Sequence, residues 1–244
     1  MMMLRRDDLD RFYGLLDELA RRVGGPRKLK NCTGYMDWPE RGVYFFLEPG
    51  ETRESSEQLR VTRVGTHAVS TGSSTSLWDR LKQHYGTGSA SSNHPHGGAH
   101  RGSVYRKRVG EAIIEKHGLQ ADYPAWHDRW SSIERERSVV REEEYILERR
   151  VSAYIRDQPF LWVNFDDEPG PDSDRAYLER NCIALLSNRD VEPIDPRAAG
   201  WLGRHSRSPK IGESGLWNVD HVDEQYDEAF LELLGEAVAE TGPV

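Results

Sequence analysis

The chain opens with apolar side chains that recur every three or four positions, as they do on one face of an α-helix. These side chains are Leu9, Phe12, Leu16, Leu19 and Val23. Asp7 or Asp8 can cap the start of such a helix, and Gly24 can end it. The pattern predicts a first helix that packs one face against the rest of the chain.

Three later segments have patterns that are typical of strands. Residues 42–48 form a compact β-rich run, and residues 59–65 alternate apolar with polar side chains after a polar turn. Together these two segments predict a hairpin. Residues 160–165 are aromatic and β-branched over a short length, which predicts a third strand.

Helical patterns occupy much of the remaining chain. The predicted helices span about residues 76–86, 101–117, 132–156, 173–187 and 224–240. Ser76 can cap the first of them, and Asp172 or Ser173 can cap the fourth. We therefore expect an α/β fold in which helices flank a small central sheet of three strands, with a helical insertion between the second and third strands.

Length and composition limit the class of protein. At 244 residues the chain can build one large domain, and with 36% apolar residues much of it must form surface helices and polar loops. The sequence contains no apolar run long enough to span a bilayer, and its N-terminus turns acidic where a signal peptide would be apolar. We expect a cytoplasmic protein without a membrane partner, in which Cys32 and Cys182 are buried apolar residues rather than a disulfide.

The charge distribution bears on binding to nucleic acid. A formal net charge of −8 opposes such binding, but the basic residues are segregated. Residues 100–108 contain four Arg or Lys side chains and no acid, and residues 200–211 contain three more with none. A chain of this kind can present a basic face, although each stretch can equally be an ordinary solvated surface.

Four short motifs occur in the order of the predicted elements. They are Gly42-Val43-Tyr44, Arg63-Val64-Gly65, Arg80 in the helix after the hairpin, and Glu179 in the helix after the third strand. This ordered set resembles the GIY-YIG nuclease superfamily, in its restriction-endonuclease-like branch. The resemblance covers residues 42–85 and 160–188, about a third of the chain.

The resemblance implies a single decorated domain. Its catalytic core would consist of residues 42–85 and 160–190. An N-terminal helix and linker (1–41), a helical insertion (86–159) and a C-terminal extension (191–244) would surround that core. The insertion is the usual place for a nuclease of this kind to add target recognition.

The resemblance also implies phosphodiester hydrolysis with Mg²⁺ or Mn²⁺ as the cofactor. Such hydrolysis needs an activated water and charge neutralisation at the phosphoryl oxygens. Glu179 would hold the metal, Arg80 would clamp a phosphate oxygen, and Tyr44 would act as the base or orient the water. His84, one helical turn after Arg80, would orient the phosphate or the water. The structural alternatives are a solvated glutamate, a surface salt bridge of Arg80 to Asp79 or another acid, a core tyrosine and an exposed histidine.

The second motif departs from the family pattern, because Arg63 stands where a tyrosine is expected. This removes a phenol that can serve as the base, and His67 is a possible substitute because neutral imidazole accepts a proton near pH 7. Arg63 itself can bind phosphate or form a surface ion pair. Gly65 would permit a strand-end turn or close approach of the substrate. Asn188 can anchor a loop or the site, or cap the helix that carries Glu179.

Seven basic side chains are candidates for nucleic-acid binding, through phosphate contacts or guanine edges. Four lie in the insertion and three in the tail: Arg101, Arg106, Lys107, Arg108, Arg204, Arg207 and Lys210. Trp201 and Trp217 can stack on nucleic acid or pin the tail to the core. His94, His96 and His100 superficially resemble a zinc cluster, but Pro and Gly between them favour a loop without metal.

Together these features predict an endonuclease that depends on a divalent metal and acts on nucleic acid, with double-stranded DNA as the expected substrate. Two other classes stay open. One is a non-catalytic nucleic-acid-binding module in which Arg63 marks a decayed site. The other is a protein-interaction domain that uses the acidic surface and the last helix.

Overall fold

The computed structural model describes residues 2–86 and 94–244, and the architecture below refers to that part of the chain. Seven α-helices surround one four-stranded antiparallel sheet. The strands are β1 (Arg27–Lys28), β2 (Arg41–Thr52), β3 (Leu59–Gly65) and β4 (Pro159–Phe165). The helices are α1 (Met2–Val23), α2 (Leu77–Tyr85), α3 (Val104–His117), α4 (Arg137–Asp157), α5 (Asp174–Leu186), α6 (Pro209–Ser214) and α7 (Phe230–Glu240).

The sheet has the strand order β1-β4-β2-β3. The α/β class and the helical insertion between the strands at 59–65 and 160–165 are confirmed. The predicted number of three strands is wrong, because β1 pairs with β4 and adds a fourth. A strand of two residues is too short to show an alternating pattern, and only its partner defines it.

Strand β2 lies inside the sheet, and helices cover both of its faces. Successive side chains of a strand point to opposite faces. Phe45 packs edge-on against Phe12 of α1, with ring centroids 5.9 Å apart, whereas Phe46 packs against Tyr105 of α3 at 5.6 Å. Burial on both faces explains why residues 42–48 are apolar without alternation.

Helix starts depend on contacts as well as on caps. Ser76 caps α2 in a capping box with Asp79, and Ser173 caps α5, as predicted. Helix α1, in contrast, begins at Met2, so the predicted cap at Asp7 or Asp8 is wrong. Arg5 in its early turns donates hydrogen bonds to backbone carbonyls at the end of α5, a tertiary contact that the local pattern does not contain.

The C-terminal tail covers the outer edge of β3. The Trp217 amide donates to the Thr62 carbonyl at 2.7 Å, and the Asn218 side chain bonds both the amide and the carbonyl of Val64, at 3.1 and 2.9 Å. Trp201 and Trp217 are buried, and both indoles donate to Glu48. The tryptophans therefore pin the tail to the core. These contacts protect an otherwise unpaired sheet edge.

Two further expectations concern the cysteines and membrane-spanning helices. Cys32 and Cys182 are both buried, as predicted. In the part of the chain that the structure describes, no helix has the length and apolar character needed to cross a membrane.

The interior of the insertion contains a buried ion pair between α3 and α4. Arg106 has no solvent exposure, and its guanidinium contacts the Glu148 carboxylate, Ser152 Oγ and the His84 carbonyl. Burial favours a raised pKa for Glu148, but the His100 hydrogen bond and the Arg106 charge lower that pKa to about 2. Arg106 therefore clips α3 to α4 and to the end of α2. Its burial excludes it from a nucleic-acid surface, which corrects its predicted role.

Replacing Arg106 tests this structural role. We expect Arg106→Ala to lower the free energy of unfolding by about 3–5 kcal/mol, because Glu148 would stay buried without its cation. Lys116→Ala is the control, since Lys116 is an exposed cation on the same helix, and its effect should stay within about 0.5 kcal/mol. Urea denaturation measures both values. Equal stability of the two variants would refute the assignment.

Candidate active site

Tyr44 is the centre of the site. It lies in β2 directly opposite Gly65 of β3, and it is fully buried. A β-carbon at Gly65 would lie only 2.3 Å from the Tyr44 hydroxyl oxygen and 2.4 Å from Cζ. Glycine is therefore required here because the phenol crosses β3 at this point. Gly65 ends β3, as expected, and its backbone does not adopt a positive φ, so the contact with Tyr44 explains the glycine.

His84 joins Tyr44 to the insertion. Its Nε2 lies 2.7 Å from the Tyr44 hydroxyl oxygen, and its Nδ1 lies 2.9 Å from Ser103 Oγ, just before α3. The imidazole is fully buried. Burial, followed by the charges of nearby arginines, holds the pKa of His84 well below its usual value. His84 is therefore neutral at neutral pH and contacts the tyrosine from inside the protein, not from an exposed helix face.

Arg80 lies one helical turn before His84 and is partly exposed. Its Nη1 donates to Gln83 Oε1 at 2.9 Å, while its buried Nε has no hydrogen-bond partner in the described chain. The nearby Tyr44 oxygen raises the pKa of the Arg80 guanidinium; burial opposes this increase and Glu179 adds to it. The alternative salt bridge to Asp79 is not formed, because that carboxylate caps α2.

Glu179 projects from α5 toward the end of β3. Its Oε1 accepts a hydrogen bond from the Thr66 backbone amide at 3.1 Å. Burial raises the pKa of Glu179, whereas the charge of Arg63, the Thr66 hydrogen bond and the charge of Arg80 lower it. The carboxylate thus lies within the electrostatic field of both arginines of the site.

His67 is held as a neutral proton acceptor. Its Nδ1 lies 2.7 Å from the Thr75 carbonyl, which can only accept, so Nδ1 carries the hydrogen and Nε2 carries a lone pair. Nε2 is buried and has no partner among the described residues. Burial, together with the charges of Arg175, Arg80 and Arg41, lowers the pKa of His67 to about 4, although the Thr75 hydrogen bond opposes the change.

Arg63, which stands in place of the expected tyrosine, is 6% exposed. Its guanidinium carbon lies 4.8 Å from the centroid of the Tyr105 ring, and its Nη1 donates to the Trp217 carbonyl at 3.2 Å. No described carboxylate forms an ion pair with it, and its Nε is buried without a partner. Arg63 is therefore an interior cation facing the site, not a member of a surface ion pair.

Asn188 contributes to a turn and not to the cluster around Tyr44. Its amide donates to the Asp195 carbonyl at 3.2 Å, and its side-chain oxygen accepts from the Ile194 amide at 3.1 Å and from Arg5. These bonds fix the turn after α5. Of its two predicted roles, loop anchor or helix cap, the described contacts fit the loop anchor.

Three residues of the site have no motif in the sequence. Thr66 holds Glu179 by its backbone, and Ser103 contacts His84 from the insertion. Arg175 of α5 forms an ion pair with Asp167 and donates to the His67 carbonyl, which links the start of α5 to the loop after β3. A backbone donor and two common polar residues give no sequence signal, because only the fold brings them to the site.

The candidate nucleic-acid residues of the insertion are mostly occupied by other contacts. Arg101 donates to both oxygens of Glu144, and Arg108 pairs with Glu111 in the next turn of α3. Lys107 donates to the His127 carbonyl at 2.8 Å. Neutralised or backbone-bound cations attract phosphate less strongly than unpaired ones do. The three tail cations are more exposed: Lys210 lies 2.8 Å from Asp223, Arg207 3.9 Å from Glu115, and Arg204 contacts a backbone carbonyl.

The three histidines of the insertion have separate partners. His94 lies 2.9 Å from Glu142, His96 accepts from Arg156, and His100 pairs with Glu148.

Within residues 2–86 and 94–244 no group of three or more His, Cys, Asp or Glu side chains has the spacing of a metal site. Among the described residues of the site, Glu179 is thus the carboxylate that can hold a cation. Its Oε2 has no hydrogen bond to a described residue. One carboxylate oxygen fits a hard cation that keeps several waters, such as Mg²⁺.

The fold gathers a tyrosine, two arginines and a glutamate around a small antiparallel sheet, which is the arrangement of a phosphodiester-cleaving α/β domain. The family model of the GIY-YIG domain matches residues 3–244. The chain therefore belongs to the GIY-YIG domain family, and this membership indicates a nuclease. The match extends through the insertion and the tail, well beyond the motifs. No curated protein and no solved structure matches the chain.

Adding one methyl group at Gly65 tests the packing of the site. We expect Gly65→Ala to displace the phenol from His84 and to lower the free energy of unfolding by about 1–3 kcal/mol, as overpacking does. Gly170→Ala is the control, because a β-carbon there meets no atom within 4 Å. Chemical denaturation and a crystal structure of the variant measure the two effects. An unmoved Tyr44 in a fully stable Gly65→Ala protein would contradict the assignment.

Proposed function

We propose that this protein is an endonuclease that hydrolyses phosphodiester bonds in DNA with the help of a divalent cation. The observation that carries this proposal is the convergence of Tyr44, Arg80 and Glu179. Tyr44 lies opposite Gly65, the amide of the next residue, Thr66, holds Glu179, and Arg80 lies one helical turn before His84, which contacts the Tyr44 hydroxyl. A carboxylate for a cation, a guanidinium for a phosphate and a phenol for orientation are the groups that such hydrolysis needs.

Arg80, which is partly exposed, would bind the scissile phosphate, and the buried Arg63 would add positive charge to the site. Arg80 and Arg63 each have an Nε without a partner in the described structure, and both lie in the field of Glu179. Positive charge in a partly buried site attracts a phosphate strongly because little water screens it. Glu179 would hold Mg²⁺ or Mn²⁺, and the bound cation would neutralise charge on the phosphoryl and leaving oxygens.

His67 would accept the proton of the attacking water. The attacking water would give one proton to the Nε2 lone pair as its oxygen bonds to phosphorus, and the bond from phosphorus to the leaving oxygen then breaks. Solvent would protonate the leaving oxygen, and His67 would return its proton to solvent. Tyr44 would orient the reacting groups. His67 thus supplies the acceptor that the replacement of tyrosine by Arg63 removes, and this argues against a decayed site.

Plasmid nicking tests the proposal. We expect wild-type protein with Mg²⁺ to nick supercoiled DNA, and chelation of the metal to abolish nicking. Glu179→Gln, Arg80→Ala and His67→Gln should each lower the rate on the order of 100-fold or more, in the range of a lost acid-base or charge-stabilising group. Glu236→Gln is the matched control, because Glu236 is an exposed carboxylate on α7.

The pattern of failure identifies the alternatives. Nicking that survives both Glu179→Gln and Arg80→Ala would remove this active site. Salt-dependent DNA binding without cleavage by wild-type protein would establish the non-catalytic binding module instead. Absence of any salt-sensitive affinity for nucleic acid would leave the protein-interaction domain.

The unpaired cations of α4 suggest where the substrate extends beyond the site. Arg137 and Arg141 are exposed, and their guanidinium carbons lie 5.5 and 5.6 Å from the centroid of the Trp130 ring. Neither arginine forms an ion pair with a described carboxylate. A cation–π contact orients a guanidinium without neutralising its charge, so both groups stay available to phosphate. We call Trp130, Arg137 and Arg141 the Trp130 patch.

The Trp130 patch borders the same cavity as the helix of the site. The residues that line a cavity of about 530 Å³ include Trp130, Arg141 and Gln83 of α2. Gln83 is the residue that accepts a hydrogen bond from Arg80. We therefore propose that the DNA backbone runs along this cavity. The Trp130 patch, rather than the basic residues near 100–108, would then contact the DNA phosphates.

Salt-dependent binding tests the patch. Measured in the Glu179→Gln background, Arg137→Ala with Arg141→Ala should lower DNA affinity and reduce the slope of log K against log salt by about two. The matched control is Arg149→Ala with Arg150→Ala, which removes two exposed arginines from the same helix. Equal losses in the two double variants would show that only net charge matters and would refute the patch.

A further inference from the structure

Two adjacent residues after β3 are held by two adjacent turns of α5. Arg175 and Glu179 lie four residues apart, so they share one face of that helix. The Glu179 carboxylate accepts the Thr66 amide hydrogen, and Arg175 donates through Nη1 to the carbonyl of His67, the next residue. One helical face therefore holds the backbone of His67 beside the carboxylate of the site.

Arg175 is completely buried, and Asp167 fixes its position. One Asp167 oxygen accepts from Arg175 Nε, and the other accepts the Arg175 backbone amide hydrogen at 3.2 Å. The Asp167 carbonyl in turn accepts from Arg41, at the start of β2, at 2.7 Å. The guanidinium thus has a fixed place, from which Nη1 reaches the His67 carbonyl.

The carbonyl that Arg175 holds belongs to the peptide group before Ala68, whose φ is +53°. A positive φ is unfavourable for a residue with a β-carbon, so this turn needs contacts that hold it. The Arg175 hydrogen bond is such a contact. The ring of His67 has a second anchor, since Nδ1 lies 2.7 Å from the Thr75 carbonyl. The backbone bond and the ring bond together determine where Nε2 lies.

Charged groups on three elements face His67. Burial, and then the charges of Arg175 of α5, Arg80 of α2 and Arg41 of β2, lower the pKa of His67 to about 4. Asp79 of α2 is an opposite charge in the same field. Of the three cations, Arg175 has the largest effect, and it also bonds the His67 backbone.

We infer that Arg175 is a positioning residue, which holds His67 Nε2 at a fixed place relative to the Glu179 carboxylate. This inference rests on the proposed nuclease function, in which His67 accepts the proton of the attacking water. Arg175 acts through His67 and contacts no reacting atom. Its effect on rate can still be large, because a displacement of about 1 Å in a reacting group can cost on the order of 100-fold.

Kinetics of Arg175→Lys test the positioning role. Lysine keeps the buried positive charge, but one ammonium group cannot replace the planar fork that bonds Asp167 and His67 together. We expect kcat for plasmid nicking to fall on the order of 10- to 100-fold, the usual range for a residue that orients a reacting group, with little change in KM. At about pH 7.5, above the ordinary pKa of histidine, His67 is neutral in each variant, so the loss reports position and not protonation.

Arg180→Lys is the matched control, because Arg180 is an exposed arginine on the same helix, and it should keep the wild-type kcat. Rates are compared at a temperature where circular dichroism shows each protein to be folded. A purely structural role for Arg175 would lower stability there without changing the kcat of the folded protein.

NMR of ¹⁵N-histidine-labelled protein tests the contact without any need for activity. The His67 signals are those absent from His67→Gln. We expect the wild-type ring to carry its hydrogen on Nδ1 and to have a pKa of about 4. Arg175→Gln removes a positive charge beside the ring and should raise the pKa of His67 by about one unit. Arg175→Lys and Arg180→Gln should leave that pKa near its wild-type value.

Either experiment alone can overturn the inference. A folded Arg175→Lys protein with the wild-type kcat would do so, and so would an Arg175→Gln protein in which His67 titrates as it does in the wild type. A wild-type protein that cleaves no DNA, but whose His67 responds to Arg175→Gln as expected, contradicts the proposed function and leaves the contact between Arg175 and His67 established.

Discussion

The contact between Tyr44 and His84 places two polar side chains in the middle of an apolar core. Both are fully buried, and the 2.7 Å between the phenol oxygen and Nε2 is the bond through which each satisfies the other. Because an unpaired polar group is costly at this depth, the contact fixes α2 against β2. The helical repeat then places Arg80 on the same face of α2 as His84, one turn earlier. The gap that Gly65 leaves for the phenol makes the arrangement possible.

Electrostatics explain how an acidic chain can hold a phosphate. The chain has a formal net charge of −8, but the charges of Arg63 and Arg80 act on the Glu179 carboxylate, and those of Arg80 and Arg175 act on His67. Charges inside the protein act over short distances with little screening, so local sign matters more than the total. The same arginines disfavour protonation of the histidines at the site. A neutral His67 with an open Nε2 is thus a product of the cationic surroundings as well as of burial.

Residues of the insertion contact the helix that carries Arg80 and His84. Arg106 is buried between α3, α4 and the end of α2, and Ser103 meets His84. A basic residue in an insertion is easily read as a nucleic-acid contact. Its burial with Glu148 instead makes it part of the frame that holds α2. The cations that keep their charge exposed lie on α4 and carry no sequence signature, because they are scattered among glutamates.

The sequence by itself determined the α/β class, the places of β2, β3 and β4, the caps at Ser76 and Ser173, and the motif residues Tyr44, Arg80 and Glu179. These follow from local periodicity, cap chemistry and an ordered set of motifs, which neighbouring residues encode. Only the tertiary structure decided that β1 pairs with β4, that Arg106 is interior, and that Ser103 and Thr66 reach the site. Such properties depend on which distant segments meet, and a hydrogen-bond partner more than ten residues away leaves no mark on the local pattern.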